Sequence, residues 1–135
     1  MSRSGYSEDP DNWRLIRWRG AVASAIRGRR GQAFLRELAA ALDALPDKRL
    51  IEGAAHRDGA YCALGALARA REMDVERVNR LMDDQSFCTL AEALDIPVAL
   101  ACEIMHTNDE SPHWRPEEPE LRWQRMREWV GRLIA

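Results

Sequence analysis

"WRGAVASAIRGRRGQAFLRELAAALDALP", residues 18–46, is the stretch whose periodicity decides the fold. Just upstream, Asp11 and Asn12 are good N-caps ahead of Trp13, and Leu15, Trp18, Val22, Ala25 and Ile26 then recur at helical spacing. Downstream, Phe34, Leu35, Leu38, Ala41, Leu42 and Leu45 form a second stripe, which Pro46 stops. Between the stripes Gly28 and Gly31 bracket Arg29 and Arg30, predicting a tight turn between two antiparallel helices. No two-residue alternation follows anywhere, so the chain reads as all-α.

The remaining segments extend that reading to a compact bundle of five to seven helices. "DKRLIEGAAHRDG" is irregular, with glycines that suggest a loop and a short extended piece at Arg49 to Ile51. A third helix fits "AYCALGALARARE", with Tyr61, Leu64, Leu67 and Ala68 inward and Gly65 expected to admit a neighbouring helix. Asp74 caps "DVERVNRLM", Ser86 or Thr89 caps "LAEALDI", and Pro97 suits the first turn of "PVALACEIMHTN". "DESPHWRPEEPE" is a loop, after which Pro119 and the acids Glu117, Glu118 and Glu120 favour a helix N-terminus. The last helix carries Leu121, Trp123, Met126, Trp129, Val130 and Leu133. The expected organisation is a polar tail over 1–12 and a single helical domain over 13–135.

The 135 residues are enough to bury a real core, and a hydrophobic share of 46 % argues against disorder. No apolar run approaches membrane-spanning length, and the polar start "MSRSGYSEDPDN" lacks a signal-peptide core, so a cytoplasmic location is expected. Cys62, Cys88 and Cys102 are odd in number and far apart, which predicts buried, reduced thiols rather than a disulfide framework. Net charge is only −2, yet from Trp13 to Arg36 there are seven arginines and no acid. Asp83 to Glu120 reverses this, with ten acids against Arg115 alone. That asymmetry bears on partners rather than on fold.

"TLAEALDIPVALACEI" approximates helix-turn-helix spacing through Ala91, a turn at Asp95, then Ile96 and Leu100. A DNA reader needs donors on its second helix, but Pro97 to Asn108 has no Arg or Lys and includes Glu103, so an ordinary helical corner is the better reading. His56, His106, His113 and the cysteines show no metal-ligand spacing beyond Cys102 and His106 at i, i+4, so neither a metal nor another cofactor is expected. No phosphate loop, nucleophile elbow or Cys–His signature is present, so no catalytic residue is assigned and an enzyme is not expected. Candidate binding residues are Arg14 and Arg17 on the first helix, Arg27, Arg29 and Arg30 at the basic turn, and Trp114 in a loop. Trp114 either pins its loop to the core or is an exposed anchor. The basic turn is either solvated, paired with the acidic second half, or a surface for an acidic protein or a phosphate backbone.

"WRGAVASAIRGRRGQAFLRELAAALDALPDKRLI", with "MSRSGYS", "CALGALARAR", "EIMHTNDE" and "RWQRMREWV", resembles a family of small uncharacterised proteins encoded by phages and prophages. The resemblance covers almost the whole chain and departs most over "ARAREMDVERVNRLMDDQSFCT". It implies a phage or integrated-prophage origin and no particular activity, cofactor or catalytic residue. The expected function is therefore a non-enzymatic accessory protein in the bacterial cytoplasm. It would bind and inhibit or modulate a host protein complex such as a defence system, in the manner of an anti-CRISPR protein. The alternative is a nucleic-acid-binding regulator that uses the arginine-rich hairpin.

Overall fold

The structure, a computed structural model, describes residues 12–111 and 116–135, with side chains from residue 16 onward. The expected tail falls outside these residues, save that Asn12 already belongs to the first helix. Seven helices and one small hairpin follow in order. They are α1 (Asn12–Arg27), α2 (Arg29–Asp43), β1 (His56–Arg57), β2 (Ala60–Tyr61), α3 (Ala63–Ala70), α4 (Val75–Asp83), α5 (Phe87–Leu94), α6 (Val98–Asp109) and α7 (Pro119–Leu133). The all-α reading holds.

One core draws residues from every helix of α2 to α7. Phe34, Leu35, Leu38 and Leu42 of α2 meet Leu64 and Leu67 of α3, Leu100, Ile104 and Met105 of α6, and Met126 and Val130 of α7. Residues 63–68 are buried without a break, so α3 is covered on all sides rather than along one stripe. α1 lies against α2 and α6, where Trp18, Ala25 and Ile26 pack onto the core. Trp123 and Trp129 are likewise half-buried at its edge, and the indole of Trp123 donates to the Leu42 carbonyl at 2.9 Å. A ring with an apolar body and one polar tip favours such a position. No helix among the described residues is long and apolar enough to cross a membrane.

Several expectations need correction. Asp58 and Gly59 both have positive φ and close the β1–β2 hairpin inside the segment read as loop. The Asp-Gly pair suits a turn with two left-handed residues, and it was the overlooked signal. Tyr61 accordingly sits in β2, not in the third helix, and Leu50 pairs with it as an isolated bridge. Gly65 admits no helix. A Cβ there would stand 1.9 Å from the Ala55 carbonyl oxygen, so the close neighbour is irregular backbone. Pro97 caps α6 rather than entering it, and Ser86 caps α5 without a side-chain bond, whereas Asp74 accepts from the Glu76 and Arg77 amides as expected. Leu121 is exposed and left off the apolar stripe, and Cys88 is exposed while Cys62 and Cys102 are buried.

Polar side chains tie the helices to the irregular segment. Asn79 of α4 accepts from the Ala55 and His56 amides and donates to the His56 carbonyl. Asn108 of α6 accepts from the Ala63 amide and donates to the Ile51 carbonyl. Arg122 of α7, 4 % exposed, donates to the Leu50 carbonyl, and its Nε lies 3.4 Å from Glu117, which also takes Arg125 as a two-point partner. Arg71, at the end of α3, grips both carboxylate oxygens of Glu37 at 2.8 and 2.6 Å and donates to the Leu94 carbonyl. One guanidinium thus joins α2, α3 and α5.

The hydrogen bonds from Arg71 hold the Glu37 carboxyl below its ordinary value of 4.5, against a smaller opposing effect of burial. A depressed carboxylate contributes stability above its unfolded pKa and loses it as pH falls through the folded value. Glu37→Gln should therefore cost roughly 1 kcal/mol at pH 7, modest because the pair is partly exposed. The gap from wild type should close as pH drops below 4.5 in denaturation curves. A gap that is independent of pH would contradict the assignment.

Candidate functional site

Arg27 ends α1, Gly28 alone forms the link in an extended conformation, and Arg29 already opens α2. The two glycines therefore do different things and do not bracket a turn. At Gly28 a Cβ would meet nothing within 4 Å. At Gly31 it would stand 1.8 Å from the Ala25 carbonyl oxygen, so α2 can press against the last turns of α1 only without a side chain there.

That placement changes the electrostatic meaning of the arginines. Arg27 lies at a helix C-terminus, where a cation is favoured. Arg29 and Arg30 occupy the first turn of α2, which holds no acid, and there the dipole disfavours cations. All three are exposed. Arg30 reaches Asp95 at 3.1 Å, with both side chains more than four-fifths exposed. Arg27 bonds to Ser24 in its own helix and Arg36 to the Ala135 carbonyl. The side chains of Arg17, Arg19 and Arg29 have no hydrogen bond or ion pair among the described residues. Pairing with the acidic half thus accounts for Arg30 and leaves those three arginines projecting.

Gly20, Ala21, Ala23 and Ser24, all exposed, separate Arg17 from Arg27 along α1. At 1.5 Å per residue this smooth, cation-flanked face is about 15 Å long. Arg14 lies in α1, but its side chain is outside the described set; Trp114 falls in 112–115 and is outside it altogether. Neither can be placed in the patch. Below the α1–α2 corner is a cleft of about 340 Å³ whose apolar lining includes Ala25, Gly31, Phe34, Ile96 and Leu100, with Arg30 and Asp95 at its rim.

The α5–α6 corner answers the helix-turn-helix question. Asp95 adopts φ 57°, ψ 46°, the left-handed conformation that the motif's glycine would supply and that aspartate tolerates better than most residues. The geometry of the motif is therefore present, but α6 does not face solvent as a reader would. Six of its residues are buried, and α1 packs along it, with the Trp18 indole donating to Glu103 at 3.2 Å. With no Arg or Lys on α6 and a helix laid over it, this corner belongs to the core.

Other candidates separate in space. Cys62 caps α3, its sulfur accepting from the Gly65 amide, while His56 bonds to Glu76 and packs at a tilt against the Tyr61 ring. His113 is outside the described residues, and among those described no three His, Cys, Asp or Glu side chains gather as a metal site. The residues overlooked at the sequence level are Asn79, Asn108, Arg71 and Arg122, whose partners are backbone groups distant in sequence. Comparison with protein-family models, curated proteins and solved structures finds no match to the chain.

The roles of the two glycines separate by substitution. Gly31→Ala should destabilise by about 1–3 kcal/mol, the usual cost of overpacking, because backbone rather than a flexible side chain must yield. Gly28→Ala, at φ −71° with open space around it, should cost no more than roughly 1 kcal/mol, because the N-cap preference for glycine over alanine is partly offset by a stiffer unfolded chain. Chemical denaturation of both variants checks this, and equal effects would contradict the corner geometry.

Proposed function

We propose that the chain is a non-enzymatic binding protein of phage or prophage origin, and that it modulates a host protein complex through the arginines of α1 and the α1–α2 corner. The observation that supports this most is Arg29, an exposed cation in the first turn of α2, against the helix dipole and with no side-chain partner among the described residues. A cation kept where folding disfavours it fits an anionic partner, because the α2 N-terminus and the guanidinium then attract the same charge. Arg17, Arg19 and Arg27 extend that field along a face of small residues on which another surface can lie closely. A bacterial defence complex, of the kind that anti-CRISPR proteins inhibit, is the target class proposed. The binder acts in the cytoplasm of the bacterial host and needs no cofactor.

The rival reading, a nucleic-acid regulator, draws on the same arginines. It is the weaker one because α6 offers no Arg or Lys beside them. The two readings part in a salt titration. Binding to a phosphate backbone falls steeply with salt, whereas the protein-binding reading predicts no retention of random duplex DNA at physiological ionic strength.

Charge reversal tests the surface itself. Arg27→Glu, Arg29→Glu and Arg30→Glu together should leave stability within about 1 kcal/mol. Losing Arg27 from a helix C-terminus is offset by placing acids at a helix N-terminus. Capture of the host complex retained by the wild-type protein should fall at least about tenfold, through slower encounter and repulsion. Unchanged capture with a normal melt would make the corner a solvated one and overturn the proposal.

A further inference from the structure

Cys88 and Cys102 are fourteen positions apart on opposite sides of the α5–α6 corner, yet they wall the same groove. Cys88 lies in the first turn of α5 and is exposed; Cys102 lies on α6 and is 3 % exposed. The groove has a volume of about 430 Å³, and Trp18, Phe87 and Val98 complete its apolar lining. α5 and α6 are packed neighbours joined by residues 95–97 alone, so the two thiols are presented from adjoining helices rather than from separate parts of the molecule. The third thiol is set apart by its work as the cap of α3, buried and bonded to the Gly65 amide.

We infer that Cys88 is a site of thiol modification by small disulfides, and that Cys102 is its resolving partner, the two closing a reversible disulfide across the groove. The asymmetry of the pair assigns the roles. Solvent reaches Cys88, so a reagent meets it first. Burial pushes the Cys102 thiol up to about 11, and negative charge on Cys88 pushes the same way. Cys102 therefore stays protonated and unreactive toward bulk reagent until a mixed disulfide forms beside it.

With glutathione disulfide as oxidant, the Cys88 thiolate attacks one sulfur, breaking the S–S bond and releasing one glutathione thiolate. Cys102 then loses its proton to solvent and attacks the Cys88 sulfur, releasing the second glutathione thiolate. Two protein thiols are oxidised, one small disulfide is reduced to two glutathione thiols, and the protons released are taken up by the departing thiolates. In a reducing compartment such a crosslink is transient, and it opens when the glutathione pool is restored.

The test uses the full chain with glutathione disulfide, followed by intact mass and peptide mapping. Without oxidant and under native conditions, a small thiol reagent should label one cysteine, Cys88. With oxidant, the monomer should lose two hydrogens and yield a Cys88–Cys102 linked peptide that dithiothreitol reverses. Cys102→Ser should stop at a glutathione adduct on Cys88, and Cys88→Ser should remain unmodified under the same exposure. A wild-type protein that keeps a stable glutathione adduct, or crosslinks only between molecules, would overturn the pairing. Labelling of Cys102 or Cys62 ahead of Cys88 would overturn the assignment of roles.

Discussion

Asn108, 1 % exposed in the last turns of α6, accepts the Ala63 amide at 3.0 Å and donates to the Ile51 carbonyl at 2.9 Å. These two bonds meet a constraint that an all-helical architecture usually avoids. The chain between α2 and α3 has no helix and much of it faces solvent, yet it dips into the interior at Leu45, Leu50, Ala55 and Cys62, which are buried. Buried backbone must find partners, and each group left without one costs roughly 1–3 kcal/mol. Asn79 and Arg122 meet the same need for Ala55, His56 and Leu50. Gly65 lets α3 close onto that backbone, since only a hydrogen fits against the Ala55 carbonyl. The helices therefore pack around one another and around the few points at which this backbone enters the core.

This arrangement decides which charges are left over. Three arginines of α7 are paired, Arg122 and Arg125 with the buried side chain of Glu117 and Arg127 at the surface with Asp43, while Arg132 is exposed. Arg71 is committed to Glu37 and to the end of α5. Among the described residues, one arginine of α1 and the start of α2 forms an ion pair, Arg30 with Asp95. The uneven charge of the sequence thus divides into an internal network and an external display. The display stands on the outer side of α1, whose inner side covers α6. A helix that might have read DNA is buried by the helix that carries the cations.

The helices were legible because each buries a stripe, and periodicity reports burial directly. Phe34, Leu38 and Leu42 are inside as their spacing demands, and Asp74 caps α4 as its chemistry demands. Periodicity is silent where burial is not periodic. Leu121 lies outside despite its place on a stripe, and α3 is buried all round, so its stripe carried no orientation. The polar residues that hold the middle together were not legible at all. Nothing in the local sequence of Asn79 or Asn108 names a backbone partner more than twenty residues away. The binding patch was half legible. Its composition stood out, but a glycine on each side of Arg29 and Arg30 suggested a turn, and the helix begins instead at Arg29 because a single extended residue completes the corner.

Native-state hydrogen exchange at the Ala63 and Ala55 amides tests the central claim most directly. Both amides are held by side chains, Ala63 by Asn108 and Ala55 by Asn79. Ala63 opens α3, a position whose amide has no partner within its own helix. If the irregular segment is part of the core, these amides exchange only through global unfolding, as slowly as the Leu67 amide inside α3. Exchange at the rate of an exposed loop, while Leu67 stays protected, would show that the segment opens on its own and that the helices do not depend on it.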